Sequence, residues 1–212
     1  MKRILFCLCF WALFIACDSS DDESSNQSSN FYALKVGNSW VYKHYKYSPS
    51  LDEYLETSVV DSVSIVGKEQ VYGNTYYKVR TWTTGNDSGS TLYNANGEYF
   101  ELLRDYEGTL LRDDGFVKFT NNDYSERLIW EEDWGSVYER LVEGTTELTV
   151  EAGTFTCINS EMYLIIASGE QLPGLDRFYY AEGIGLVLST VSFVSQSVPS
   201  VYRRLDSYEI NN

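Results

Sequence analysis

Short runs in which apolar and polar residues roughly alternate fill the chain from residue 31 onward. These runs are rich in Val, Ile, Thr, Tyr, Phe and Trp, which favour strands. Between them lie Gly73-Asn74, Asn96-Gly97 and Asp114-Gly115, dipeptides typical of hairpin turns because they tolerate positive φ. The pattern predicts fifteen strands, at Ser39–Tyr47, Thr57–Val66, Tyr76–Thr83, Ser90–Asn94, Tyr99–Leu103, Thr109–Arg112, Phe116–Thr120, Arg127–Trp130, Tyr138–Val142, Glu147–Glu151, Phe155–Ser160, Tyr163–Ser168, Asp176–Tyr180, Gly185–Phe193 and Tyr202–Ile210.

This succession of short strands indicates an all-β, antiparallel fold built on a strongly curved sheet. A half-barrel and a barrel both satisfy the pattern, and a sandwich is a third arrangement. No stretch sustains the 3.6-residue period of a helix, although 123–141 could hold one short helix. Residues 31–212 contain no long linker, so we expect them to form a single β-rich domain.

The first sixteen residues have the composition of a secretory signal peptide. Lys2 and Arg3 precede an apolar run from Ile4 to Ala16, which is too short to span a membrane as a helix. The sequence Phe14-Ile15-Ala16-Cys17 resembles a bacterial lipobox. The resemblance implies cleavage after residue 16 and acylation of Cys17, with palmitate among the chains. The alternative is an ordinary signal peptide followed by an incidental cysteine.

A serine-rich acidic segment follows Cys17. Residues 18–30 carry no apolar side chain, so we expect residues 17–30 to form a flexible tether. The run Asp21-Asp22-Glu23 resembles the export signal of Bacteroidetes lipoproteins, which implies the outer face of the outer membrane. Under the enterobacterial rule, Asp18 would instead imply retention at the inner membrane. An acidic linker without any address is the third interpretation.

The net charge limits the classes of partner. With 16 Lys and Arg against 31 Asp and Glu, the chain carries −15, and removal of Lys2 and Arg3 with the signal peptide makes it −17. Such a chain repels phosphate backbones and anionic headgroups, so we expect no nucleic-acid partner. The expected membrane contact is therefore the lipid anchor on Cys17.

Five phrases, taken in order, are similar to a large group of secreted Bacteroidetes lipoproteins of uncharacterised function. The resemblance covers most of residues 31–210. Some of those relatives resemble the LolA/LolB-type lipoprotein carriers, and that likeness implies a half-barrel with acyl chains on its concave face. No binding residue is transferred from them. The phrases are Val36-Gly37-Asn38-Ser39-Trp40-Val41-Tyr42, Gly73-Asn74-Thr75-Tyr76-Tyr77-Lys78-Val79, Glu151-Ala152-Gly153-Thr154-Phe155-Thr156-Cys157, Tyr180-Ala181-Glu182-Gly183-Ile184-Gly185-Leu186-Val187 and Leu205-Asp206-Ser207-Tyr208.

Conventional catalytic residues are scarce. His44 is the only histidine, no Gly-x-Ser-x-Gly accompanies it, and it lies in a predicted strand. Cys157 is the only thiol besides Cys17 that would remain after cleavage, and we expect it to be buried and inert. We therefore expect a protein that is not an enzyme. A carboxylate-based glycan hydrolase stays as an alternative, since two suitably spaced acidic residues would suffice.

No cofactor and no metal site are predicted. The spacing of Asn94, Asn96 and Glu98 resembles part of a calcium loop, but Asn96-Gly97 favours a hairpin turn there. Calcium binding therefore remains open.

Three tryptophans form a candidate ligand platform. Trp130 and Trp134 bracket three acidic residues, and with Trp82 they could bind a glycan or a peptide. In a helix, the i,i+4 spacing would place the first two on one face. The alternative is that they cover the end of a barrel. Separately, Asp61-Ser62-Val63 matches a short O-glycosylation sequon of Bacteroidetes secreted proteins, which makes Ser62 a candidate modification site.

Together these features predict a lipid-anchored lipoprotein of the outer membrane, exposed at the cell surface. Its function is expected to be non-enzymatic, as a binding or structural module with a glycan, lipid or surface-protein partner. A carrier or sensor of an apolar ligand, held in a half-barrel cavity, is the main alternative.

Overall fold

The computed structural model describes residues 30–211, which form thirteen antiparallel strands and no helix. The predicted signal peptide, Cys17 and residues 18–29 of the predicted tether lie outside the described residues. No helix in the described part of the chain could span a membrane. The strands are β1 Ser39–Ser48, β2 Glu53–Val71, β3 Asn74–Thr84, β4 Gly97–Tyr106, β5 Thr109–Arg112, β6 Val117–Thr120, β7 Arg127–Glu132, β8 Gly135–Leu141, β9 Thr146–Val150, β10 Gly153–Ile166, β11 Gln171–Ala181, β12 Gly185–Val191 and β13 Val201–Glu209.

All thirteen strands belong to one open sheet. Its order is β6-β5-β4-β3-β2-β1-β13-β12-β11-β10-β8-β7, and β9 pairs with β10 outside this path. Curvature brings distant strands together: Phe119 of β6, at one edge, stacks on Tyr180 of β11 with ring centroids 4.1 Å apart. The prediction of an all-β, antiparallel, curved sheet is confirmed, and the half-barrel arrangement describes it because β6 and β7 do not pair.

Several local predictions were wrong. Phe155–Ser160 and Tyr163–Ser168, predicted as two strands, lie largely in the single strand β10. Asn96-Gly97, predicted as a hairpin turn, lies at the end of the long β3–β4 loop, and Gly97 is the first residue of β4. Residues 123–141, where a short helix was an option, contain β7 and β8, which pair with each other. Ser90–Asn94, predicted as a strand, lies in the loop between β3 and β4. There the Asn86 side chain donates to the carbonyls of Ser90 and Asn94 (3.0 and 2.9 Å) and accepts from the Ser90 amide at 2.9 Å. These bonds replace the ladder that a strand would need.

Residues 31–34 fill one end of the half-barrel. The Gly183 amide, in the β11–β12 turn, donates to the Phe31 carbonyl at 3.0 Å, and the Tyr32 hydroxyl donates to the Gly108 carbonyl in the β4–β5 turn. The segment therefore links the two halves of the sheet. Asn38, fully buried, donates to the Ala33 carbonyl at 2.7 Å and accepts from the Asn211 amide at 2.9 Å, which ties both ends of the described chain together.

Cys157 lies in β10 and is fully buried, as expected for an inert thiol. Burial raises the pKa of this thiol to about 11. Because the thiolate is the reactive form, Cys157 is a core side chain with no nucleophilic character at neutral pH.

Candidate functional site

A cavity of about 580 Å³ lies in the half-barrel. This volume is within the range of about 300–1,000 Å³ that is common for small-molecule sites. The wall is mostly apolar, and its polar groups are spread over several strands, with one cluster on β1, β2 and β13. The apolar lining includes Leu34, Trp40, Val63, Ile65, Val79, Leu103, Leu110, Phe116, Met162, Phe178, Leu186 and Val191, and the polar lining includes His44, Asp61, Thr81, Glu101, Lys118, Glu139, Ser189 and Arg203.

Strand periodicity explains how β1 and β2 build this wall. Trp40, Tyr42 and His44 occupy alternate positions of β1, so they share one face of the sheet. On β2, Asp61 lies opposite Tyr42 and Val63 lies opposite Trp40. A β-bulge follows Lys43, so the ladder register shifts beside His44. Two neighbouring strands thus present both an aromatic and a charged section to the cavity.

Asp61 is the centre of a buried ionic cluster. Its Oδ2 lies 3.1 Å from His44 Nε2 and accepts from Arg203 Nε at 2.7 Å, while its Oδ1 accepts from the Thr83 hydroxyl at 2.6 Å. Burial alone would raise the pKa of Asp61. The bonds to His44 and Thr83 and the charge of Arg203 outweigh that effect and hold the pKa well below its usual range. Asp61 is therefore ionised.

Tyr42 fixes the orientation of Arg203. The guanidinium carbon lies 3.7 Å from the centroid of the Tyr42 ring, a cation–π arrangement. The Tyr42 hydroxyl donates to the Leu186 carbonyl at 2.9 Å, and burial raises the pKa of Tyr42 to about 12. Held by this stacking and by its bond to Asp61, Arg203 has a defined direction at the cavity wall.

The β3–β4 loop covers the cluster. Tyr93 meets the His44 ring edge to face, with centroids 5.3 Å apart, and lines the cavity. The loop begins at Gly85, which has φ of +81° and where a Cβ would lie 1.9 Å from the Ser58 carbonyl oxygen. Only glycine fits that close approach, so the loop passes tightly over β2.

Asn94 and Asn96, two of the residues with calcium-loop spacing, form hydrogen bonds within the same β3–β4 loop. Asn96 Oδ1 accepts from the Asn86 amide at 2.8 Å, and Asn96 Nδ2 donates to Asp87 Oδ1 at 2.9 Å. The Asn94 carbonyl also accepts from the Asn86 side chain. Among residues 30–211, no three His, Cys, Asp or Glu side chains are placed to hold a metal ion.

The other cavity carboxylates are paired with cations. Lys118 Nζ donates to both Glu101 oxygens, at 2.8 and 2.7 Å. Arg127 donates to Glu139 Oε2 at 2.9 Å. Burial raises the pKa of Glu139, which is 4% exposed. The charges that line the cavity are therefore largely balanced within the protein.

The tryptophans lie elsewhere. Trp130 in β7 and Trp134 in the β7–β8 turn are both exposed, and their ring centroids are 5.3 Å apart. Trp82 lies on β3, in the other half of the sheet, and is also exposed. Trp82 pairs with Ser62 on the adjacent strand β2. Ser62 is exposed and lies on the opposite face of the sheet from Asp61. The structure thus brings together two of the three predicted platform residues and places Ser62 at the surface.

Sequence analysis did not find the cluster of His44, Asp61 and Arg203. The available signal was weak: a histidine and an aspartate at inward positions of two adjacent strands. Arg203 is distant in sequence, and only the pairing of β1 with β13, which sets His44 opposite Arg203, brings it to Asp61.

Two solved bacterial structures share this fold. One is a candidate lipoprotein of Parabacteroides distasonis, with a TM-score of 0.52, 15% identity, and coverage of 84% of this chain and 98% of that one. The other is a candidate exported protein of Bacteroides fragilis with a YmcC-like fold, with a TM-score of 0.50, 14% identity and the same coverage of both chains. No family model and no curated protein matches the sequence. At these identities the similarity establishes the fold alone.

Proposed function

We propose that this protein is a lipid-anchored lipoprotein of the outer membrane, exposed at the cell surface, that binds a small ligand in the cavity of its half-barrel. The cavity itself is the observation that carries the binding role. Its apolar wall offers the area that drives association, and the cluster around Asp61 would orient the ligand. Bonds from His44, Thr83 and Arg203 hold the carboxylate of Asp61 in place, which lowers the ordering cost of binding.

A binding role fits the cavity better than hydrolysis does. A glycoside hydrolase needs one carboxyl group as an acid and another as a base or nucleophile. Asp61, Glu101 and Glu139 each pair with a cation instead. Such pairing favours a structural role for these carboxylates, with the cavity open to a ligand that is not transformed.

The location rests on the N-terminal motifs and is tested by acylation. We expect Cys17→Ala to abolish incorporation of labelled fatty acid in the native host, because the lipobox cysteine is the acylated residue. Cys7 lies in the predicted signal peptide, so Cys7→Ala is the control and should still incorporate the labelled fatty acid. Protease accessibility on whole cells then tests surface exposure. Continued labelling of Cys17→Ala would contradict the lipoprotein assignment.

Ligand binding is tested with two matched substitutions on β3. Thr81 lines the cavity, whereas Thr84 is exposed on the opposite face. We expect native mass spectrometry of the protein from its own host to show a noncovalent mass excess that disappears on denaturation. Thr81→Trp should remove this excess because the indole fills the cavity, and Thr84→Trp should retain it. A bare polypeptide mass for the unmodified protein would count against the binding role.

A further inference from the structure

We infer that the cavity takes an amphiphilic carboxylic acid, whose anionic head binds Arg203 beside His44 and whose apolar body lies along the hydrophobic wall. This inference rests on the proposed binding function and names the chemical class of its ligand. It draws on three properties of the cavity, namely the unused donors of Arg203, the unpaired ring nitrogen of His44 and the position of the apolar wall.

Arg203 has hydrogen-bonding capacity left on its cavity side. Its Nε is used by Asp61, but its two terminal nitrogens bond to no residue within the described range. The side chain lines the cavity and is 19% exposed. Its guanidinium carbon lies 3.7 Å from the centroid of the Tyr42 ring, and this contact limits the directions in which its donors can point. That geometry suits the two oxygens of a carboxylate.

His44 adds a second unused group at the same place. Its Nε2 faces Asp61, while its Nδ1 is buried and has no hydrogen-bond partner. A buried polar atom without a partner is costly, so such an atom in a cavity wall points to a ligand group that would complete it. With the Asp61 carboxylate at Nε2, Nδ1 is the ring atom that remains for a polar group of the ligand.

The acceptors near this cluster are already occupied. Asp61 takes three donors on its two oxygens, and Glu101 takes Lys118 on both. A cationic ligand head would therefore find no free carboxylate at this side of the cavity. Glu139, on β8, keeps one buried oxygen without a partner, but its other oxygen accepts from Arg127 at 2.9 Å, so its charge is already balanced within the protein.

The apolar part of the cavity lining favours a ligand with an apolar body. Ile65, Val79, Leu103 and Leu110, on strands β2 to β5, face the same cavity. Each methylene transferred from water to such a wall increases affinity about fourfold. A small hydrophilic anion would leave this wall unfilled. A ligand that contacts both the donors of Arg203 and the apolar wall is therefore an acid with an aliphatic or aromatic body.

The test compares three ten-carbon probes with different heads. Decanoate, 1-decanol and decylamine are titrated calorimetrically into the lipidated protein in lipid nanodiscs, with empty nanodiscs as the blank. We expect decanoate to bind at least about tenfold more tightly than 1-decanol, because charged hydrogen bonds add to the same apolar contact. Decylamine should bind most weakly. This comparison needs no variant and is therefore independent of folding defects.

Variants of two adjacent arginines test which side chain binds the anionic head group of the ligand. Arg203→Lys keeps a positive charge opposite Asp61 but loses the planar fork, and we expect it to bind decanoate several-fold more weakly with unchanged affinity for 1-decanol. Arg204→Lys is the control, because Arg204 stacks on Tyr45 on the other face of β13 and should leave both affinities unchanged. Circular dichroism checks that both variants are folded.

Other outcomes overturn the inference in distinguishable ways. Equal affinity for decanoate and 1-decanol, or tighter binding of decylamine, would reject an acid ligand and leave the binding function standing. An equal loss of both affinities in Arg203→Lys would reject Arg203 as the anchor of the head. Failure of all three probes to bind would also reject the amphiphilic acid, and the Thr81→Trp experiment would then decide separately whether the cavity holds any ligand.

Discussion

Replacing Asp61 by asparagine is expected to lower the free energy of unfolding by about 3–5 kcal/mol, the range found when one partner of a buried ion pair is removed. Asp61 is 1% exposed and receives hydrogen bonds from three side chains. Without its charge, Arg203 loses its counter-ion and the buried His44 loses the carboxylate that faces its Nε2. Chemical denaturation followed by tryptophan fluorescence measures the change.

Asp206→Asn is the matched control. Asp206 lies 3.0 Å from Lys43, and this pair is much more exposed than the Asp61 cluster. Exposed ion pairs contribute little because water and salt screen them, so the control should unfold almost like the unmodified protein. Similar losses in the two variants would show that the buried position of Asp61 has no special importance.

The Asp61 cluster also gives a dependence on pH with a definite sign. The folded-state pKa of Asp61 is below that of the unfolded chain. Its contribution to stability is therefore fully present above the unfolded pKa of about 3.9 and is lost as the pH falls through that value toward the folded one. We expect a smaller acid-induced loss of stability in Asp61→Asn than in the unmodified protein, and an identical acid profile would contradict this assignment.

Phe119→Ala is expected to cost about 3–5 kcal/mol of stability, the range for removing a buried phenylalanine from a core. Phe119 is fully buried on β6, the edge strand. Its ring stacks on Tyr180 and meets Tyr32 edge to face, with centroids 6.3 Å apart. The substitution would open a void where the edge of the sheet meets β11 and the N-terminal segment.

Phe100→Ala serves as the control, because Phe100 is 51% exposed on β4, which is separated from β6 by β5. We expect its effect to be within about 0.5 kcal/mol, as for most surface substitutions. Hydrogen exchange should also show faster exchange in β5 and β6 of Phe119→Ala, since the contact across the half-barrel no longer holds that edge. Unchanged exchange at this edge would mean that strand pairing alone keeps it in place.

The fold was largely predictable from local patterns. Gly73 lies at the β2–β3 turn and Gly115 lies between β5 and β6, where the turn dipeptides predicted changes of direction. The failure at Ser90–Asn94 has a specific cause. Threonine, leucine and tyrosine there have high strand propensity, but the side chain of Asn86 provides local hydrogen bonds that compete with a ladder.

The site was less predictable than the fold. Sequence analysis assigned His44 to a strand, which is correct, since it lies in β1. It predicted a ligand platform from Trp82, Trp130 and Trp134, and the structure places Trp82 apart from the other two along the strand order of the sheet. His44, Asp61 and Arg203 come from β1, β2 and β13, which lie side by side in the sheet although β13 is distant in sequence.

The amino-acid sequence by itself determined the strand content, most turn positions and the antiparallel class, because propensity and alternation act over a few neighbouring residues. It also carried the expectations for Cys17 and the acidic tether, which depend on contiguous motifs. Tertiary structure alone decided that the sheet stays open, that Phe119 meets Tyr180, and that Arg203 joins His44 at Asp61. These features depend on strand register and curvature, which arise when residues far apart in the chain bury their surfaces together.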